Sequence, residues 1–144
     1  MNPIILQRFS YFLKRIPLLP KIITYLIRFV FGPYLPYKLK LGKGFKIGYG
    51  GIGVVIHERT IIGENVHIDQ NVTIGGTSKK IDVPQIGDNV YIGAGAVVLG
   101  PIVIGNNVVI GANAVVVKDI PNGSLVVGIP GKIIKSNIKM SDYI

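Results

Sequence analysis

Cysteine is absent from the 144 residues. Its absence excludes disulfides, thiolate metal ligands and a cysteine nucleophile, and it fits a reducing compartment. Acids are scarce: there are seven, and none stands before Glu58. Histidine occurs twice, as His57 and His67. Two histidines and scattered carboxylates give no zinc-ligand spacing, so no metal is expected. Long uncharged runs are missing from the first 37 residues. The longest there, Phe29 to Tyr37, has nine residues and contains Pro33 and Pro36. A membrane-spanning helix needs roughly 18–20 apolar residues, so none is expected in this segment. No small-residue cleavage site follows a clean apolar core, so no cleaved signal peptide is expected either.

What is abundant is glycine, 19 residues, and aliphatic side chains that return every sixth position. Ile56, Ile62, Ile68 and Ile74 are followed in the same phase by Ile86, Ile92, Val98, Ile104, Ile110 and Val116. A second track runs four places after each: Val66, Val72, Val90, Ala96, Ile102, Val108 and Ala114. Neither a helix nor a strand has this period. A hexapeptide repeat marks a parallel β-helix, in which three short strands and three corners make a triangular coil of about 18 residues. One hexapeptide cannot bury its own face, so stability comes from stacking. Gly and Asn are expected at the corners, where positive φ costs them least. Asn65, Asn71, Asn89 and Asn107 fit such corners.

The chain divides into three parts. Residues 1–37 are expected to be a basic, apolar helical segment. Ile5, Phe9, Phe12, Leu13 and Ile16 share one face at helical spacing, Pro17 and Pro20 break the helix, and a second short helix ends at Gly32-Pro33. Residues 38–135 form the β-helix, with Gly75 to Gln85 as a loop thrown out of one coil, and 136–144 form a polar tail. Loops on rigid scaffolds tend to carry function. The formal charge of +9 arises wholly in the first third: residues 1–50 hold nine Lys or Arg and no acid. That placement suits an anionic lipid surface or a phosphate-bearing partner, and equally a solvated face on helices packed against the solenoid. Nucleic acid is not expected, because no recognised module accompanies the charge.

Both histidines flank inward positions, His57 after Ile56 and His67 before Ile68, so both face outward. Histidine exchanges a proton near neutral pH, although a lone outward histidine is usually only solvated surface.

The stretches "GIGVVIHERTIIGE", "NVTIGGTSKK", "IGDNVYIGAGAVVLGPIVIGNNVVIGANAVVVKDIP" and "VVGIPGKIIK" together resemble the hexapeptide-repeat acyltransferases, in their serine-acetyltransferase-like branch, over about residues 45–135. The resemblance implies a left-handed β-helix, a homotrimer, acetyl-CoA in the groove between two subunits, and a histidine general base. Gly75, Gly76 and Thr77 match the family's Gly-Gly-Thr, where the pantetheine passes the backbone and an N–H holds the thioester oxygen. Ala94 and Ala112 match its small residues along the cofactor groove, and Lys132 its basic residue near the nucleotide.

The catalytic histidine is displaced. Gly53 to Glu58 matches the end of the family's histidine stretch, so the family histidine falls at Gly50, beside Tyr49. His57, the nearest histidine, is the expected base. His67 is the alternative, one coil beyond Tyr49 and expected to stack over it. Glu58, Glu64 and Asp82 are candidates for the carboxylate that orients the base. Other family residues are missing too: no acid precedes Glu58, and Asp82 and Val83 stand where an Arg-His pair would precede Pro84. A serine site must hold an ammonium and a carboxylate. The expectation is therefore an acetyl-CoA-dependent O-acetyltransferase acting on a glycan or sugar hydroxyl, in the cytoplasm or peripherally on the inner face of a membrane reached through residues 1–31. The alternative is a serine O-acetyltransferase of cysteine synthesis, and the non-enzymatic reading is a trimeric scaffold.

Overall fold

A computed structural model describes residues 2–143; Met1 and Ile144, the ends of the expected helical segment and tail, lie outside it. Two helices come first, α1 (Pro3–Phe12) and α2 (Leu19–Phe31). The Asn2 side chain accepts from the Ile4 N–H and caps α1. Gly32, at φ 94°, ends α2. Pro20 does not break a helix as expected: it lies in the first turn of α2, where a missing N–H costs nothing.

The β-helix follows in fourteen short strands. They are β1 (Lys40–Leu41), β2 (Lys46–Ile47), β3 (Val55–Ile56), β4 (Ile61–Ile62), β5 (His67–Ile68), β6 (Thr73–Gly75) and β7 (Gln85–Ile86), then β8 (Tyr91–Ile92), β9 (Val97–Leu99), β10 (Val103–Ile104), β11 (Val109–Ile110), β12 (Val115–Val116), β13 (Leu125–Val127) and β14 (Lys132–Lys135). Three sheets make the faces of a prism. The first face is β1-β4-β7-β10, the second β2-β5-β8-β11-β13-β14, and the third β3-β6-β9-β12. All pairings are parallel except β13 with β14. The two apolar tracks fill the interior, and every one of their members is buried.

The corners follow the expectation for asparagine and for glycines such as Gly44, Gly53 and Gly95, but not for the glycines that directly follow an inward aliphatic residue. Asn65, Asn71, Asn89, Asn107 and Asn113 all take φ between 53° and 60°. Gly93, which directly follows an inward isoleucine, has no positive φ. It is glycine because the next coil passes too close: a Cβ there would lie 2.8 Å from the Ala112 nitrogen. Stacking distance, not backbone dihedral, selects it.

Two irregularities shape the edges. Gly75 to Gln85 leaves the coil as expected, and β6 and β7 keep the six-residue phase because the excursion adds six residues, one whole hexapeptide. The corner between β2 and β3 is longer than its counterparts: Lys46 to Val55 spans nine residues, whereas His67 to Thr73 above it spans six. The extra length is the Gly48–Gly51 turn, in which Tyr49 (φ 48°) and Gly50 (φ 68°) are left-handed.

The apolar stripe of the helices faces away from the solenoid. Ile5, Phe9, Phe12 and Ile16 point outward, with Phe12 82 % exposed. The inner side of α1 is Pro3, Gln7 and Ser10, and that of α2 is Pro20, Thr24 and Ile27. Gln7 Nε2 donates to the Pro36 and Leu39 carbonyls at 3.2 and 2.9 Å, and Ser10 Oγ to the Pro20 carbonyl at 3.1 Å. Buried backbone carbonyls need donors, and Gln7 supplies one to the Leu39 carbonyl in the segment joining helices to solenoid. Among the described residues, no helix is long and apolar enough to cross a membrane.

Candidate active site

The expected site residues sort onto the edges of the prism. Along the edge between the second and third faces, corners stack by backbone hydrogen bonds from Asn71 N–H to Ile52 O, Gly95 N–H to Gln70 O and Asn113 N–H to Ala94 O. This edge carries Tyr49 and Gly50 in the first coil, Asp69 and Gln70 in the second, Ala94 in the third and Ala112 in the fourth. Lys132 opens β14 at the same end of the second face, its side chain exposed. Small side chains thus continue up the edge over the upper coils.

The edge between the third and first faces carries His57, Gly75, Gly76 and Thr77. His57 lies directly under this stretch, its N–H donating to the Ile74 carbonyl at 2.9 Å, and the Gly100 N–H above donates to the Gly75 carbonyl at 3.0 Å. Asp82 is exposed on the loop that leaves this edge, while Val83 and Pro84 behind it are buried. Glu58 pairs with Lys38 at 3.6 Å. Glu64 sits on the remaining edge, after β4, apart from both histidines. The two histidines are therefore not one cluster. His57 occupies the edge opposite the second face, and His67 lies on that face.

His67 does not stack over Tyr49 as expected. The longer first corner shifts the register by three residues, so His67 pairs with Lys46 below and Tyr91 above. Its Nε2 lies 3.4 Å from Asp69 Oδ1. Tyr91 Oη donates to Asp69 Oδ2 at 2.5 Å, and the Tyr91 and His67 rings meet edge to face at 5.4 Å. The hydrogen bond to Asp69 holds the Tyr91 proton most strongly; burial and the negative charge of Asp69 add to it, and the phenol is pushed up to about 12. Tyr91 is thus a neutral donor at any physiological pH.

Below this group opens a cleft of about 620 Å³, lined by Phe31, Phe45, Lys46, Gly48, Gly50 and His67, among others. Asp69 reaches over its rim: a Cβ at Gly48 would lie 2.6 Å from Asp69 Oδ1. A second cleft, about 480 Å³, separates α1 from the first face. Neither histidine nor carboxylate lines it, and the guanidinium of Arg8 there is used structurally, donating to the Gly42 carbonyl at 2.6 Å.

Asp69 and Tyr91 were not among the expected site residues. Their signal was present in the spacing. Asp69 follows His67 by two, and Tyr91 lies one coil above it once the loop's additional hexapeptide is counted.

Residues 84–118 match the family described as bacterial transferase hexapeptide (six repeats). With this repeat, the three-faced solenoid and the small-residue edge in place, the chain belongs to the hexapeptide-repeat transferases. Its relatives are named more narrowly. It is similar to a serine acetyltransferase of Staphylococcus aureus, 50 % identical over 117 residues that cover 80 % of this chain and 54 % of that one. It superposes on the crystal structure of Neisseria gonorrhoeae serine acetyltransferase with a TM-score of 0.88 at 35 % identity, covering 95 % of this chain and 55 % of that one. The Brucella abortus serine acetyltransferase in complex with coenzyme A superposes at 0.84 and 32 % identity, over 92 % and 54 %. The chain spans about half the length of the curated relatives it matches.

These relatives overturn the expected glycan acceptor and favour the serine alternative. The expectation rested on acids missing at matched positions. The fold adds one carboxylate that the matched stretch does not reveal: Asp69, from the next coil, lies over Gly48.

Proposed function

We propose that this chain catalyses transfer of the acetyl group of acetyl-CoA to the hydroxyl of L-serine, as its relatives' names describe. The observation that carries the reading is the ordered pair of edges flanking the third face. Ala94 and Ala112 line one, and Gly75, Gly76 and Thr77 line the other, in a chain half identical over 117 residues to a serine acetyltransferase. A pantetheine arm needs a groove without bulky side chains, which the alanine edge offers. The thioester needs a donor for its developing oxyanion, which a main-chain N–H in the glycine stretch supplies. Lys132, at the far end of the alanine edge, meets a phosphate of the nucleotide.

The two edges lie on opposite sides of one face, so a single copy does not bring them together. A neighbouring copy, with its glycine edge beside this chain's alanine edge, does. We therefore assign the working form as a homotrimer with sites between subunits, in the cytoplasm where acetyl-CoA is available. The outward apolar stripe of α1 and α2 supports a contact with a membrane surface as well; deletion of residues 1–31 would abolish sedimentation with anionic liposomes, and unchanged sedimentation would refute that contact.

The deciding experiment is thiol release from acetyl-CoA with L-serine as acceptor, with a panel of sugars as control. Saturable, serine-dependent release is the expected result. Calorimetric binding of acetyl-CoA without release in the presence of serine would overturn the assignment of acceptor while leaving the donor site standing.

A further inference from the structure

We propose that His67, oriented by Asp69 with Tyr91 behind it, is the general base of the acetyl transfer. The inference rests on the acetyl-transfer reading and adds to it the residues that move the proton.

His57, the nearer histidine to the matched position in sequence, is poorly placed for the role. Its Nδ1 accepts the Arg59 N–H at 3.2 Å, which puts the ring proton on Nε2 and leaves no nitrogen free to take another. Among the described residues no carboxylate stands within ion-pair distance of it. The adjacent Glu58 is turned to Lys38.

His67 has what His57 lacks. Asp69 Oδ1, 3.4 Å away, faces Nε2 and favours the tautomer with its proton there. Nδ1 is then the nitrogen with a free lone pair. Asp69 is itself held: Tyr91 donates to its other oxygen, so the carboxylate has one oxygen for each partner. Tyr91 also packs its ring edge to face with the imidazole and limits its rotation. A base oriented by a carboxylate that is oriented in turn is the arrangement a catalytic imidazole requires. The charged and titratable groups facing His67 are Asp69 on its own coil, Lys46 below and Tyr91 above.

Location supports the role as strongly as geometry. His67 lines the cleft that Gly48 and Gly50 leave open, and Gly50 is the matched position of the family's histidine. Asp69 lies on the alanine edge, one coil below Ala94. Adjacent coils are about 4.8 Å apart, so a thioester lying along that edge ends within reach of the His67 ring. The step balances without any other reactant. Nδ1 takes the proton of the serine hydroxyl as Oγ bonds to the thioester carbonyl carbon. The C–S bond then breaks, and the leaving thiolate takes the proton from Nδ1. The products are O-acetylserine and free coenzyme A.

The test compares His67→Asn, His67→Gln and His57→Gln, each checked for unchanged circular dichroism and acetyl-CoA affinity. Loss of a general base lowers turnover by on the order of 10²–10⁴-fold, expected in both His67 variants. His57→Gln is expected to stay within a few-fold of wild type. Asp69→Asn should lower kcat with little change in the KM for serine and should displace the acid limb of the pH–rate profile; Asp69→Glu should restore part of the rate. Near-normal turnover in the His67 variants, or collapse only in His57→Gln, would overturn the proposal. Nitrogen-15 spectra of the two imidazoles give a second readout that needs no acceptor. The proposal requires neutral His67 to carry its proton on Nε2, and to lose that preference in Asp69→Asn. A proton on Nδ1 would refute it even if serine were not the acceptor, whereas failure of the wild type with serine would refute only the acceptor.

Discussion

The helical segment and the β-helix both carry a regular apolar period, and they bury opposite sides of it. In the β-helix the six-phase aliphatics point inward, stack on their equivalents in neighbouring coils, and are all buried. In α1 and α2 the apolar stripe points outward, with Phe29 91 % exposed, and the buried positions include Gln7, Ser10 and Thr24. A period identifies an apolar face but not the surface that covers it. In a solenoid the cover is the next coil of the same chain, so the pattern and the packing coincide. For the helices, the inner side carries the polar side chains Gln7, Ser10 and Thr24, which hydrogen-bond the carbonyls of Pro20, Pro36 and Leu39. The outward stripe leaves Ile5, Phe9, Phe12, Ile22 and Phe29 exposed.

That contrast is most sharply broken by one charge placed on each side of it. Ile92 has no exposed surface. Ile92→Asp would bury an unpaired carboxylate, a cost comparable to the whole stability of a domain, about 5–15 kcal/mol, and the variant should not yield folded protein. Phe29→Asp, at a position of equal hydrophobicity in the sequence, should change the melting temperature little. Expression with circular dichroism checks both. A folded Ile92→Asp variant would mean the coil phase is wrong, and an unfolded Phe29→Asp variant would mean that the outer stripe is covered.

A smaller effect probes the polar inner side. Gln7→Ala removes the side-chain donor from the buried Leu39 carbonyl, while the Pro36 carbonyl keeps the Leu39 N–H at 3.0 Å. A buried group left unsatisfied costs about 1–3 kcal/mol, which for a domain of this size lowers the melting temperature by several degrees. The neighbouring Ile5→Ala, on the exposed stripe, should cost far less.

The same division governs what could be read without the structure. The β-helix was legible from Ile56 to Val116, because one local rule, repeated, decides the whole. The same phase places the Gly-Gly-Thr stretch on one edge of the prism and the two alanines on another. What was not legible depended on register between coils. Three additional residues around Tyr49 move His67 from above Tyr49 to above Lys46 and bring Asp69 over Gly48. Six in the loop move Tyr91 onto His67. A count in steps of eighteen misses both shifts, so the His67–Asp69–Tyr91 group remained three unrelated outward residues. The side on which the helices bury was left open for another reason: it depends on polar contacts such as Gln7 with the Leu39 carbonyl, which are a property of the packed chain.

The smallest expected effect separates this group from ordinary surface. In the folded chain the Tyr91 phenol titrates at about 12, above the value near 10 of an unfolded tyrosine. A group whose folded value is raised stabilises the fold fully below the unfolded value and loses that contribution as pH rises through the folded one. Wild type should therefore exceed Tyr91→Phe in melting temperature by a constant margin up to about pH 10, and the margin should shrink from there to pH 12. In Asp69→Asn the acceptor remains but the charge is gone, so the phenol should titrate lower and the margin should start to close at lower pH. A difference ultraviolet titration of each variant against Tyr91→Phe isolates this phenolate from the other six tyrosines. If the Tyr91 phenolate instead appears near pH 10 in the wild type, the hydrogen bond to Asp69 does not persist in solution. The carboxylate would then be free to turn away from His67, and both histidines would be left as unsupported surface groups.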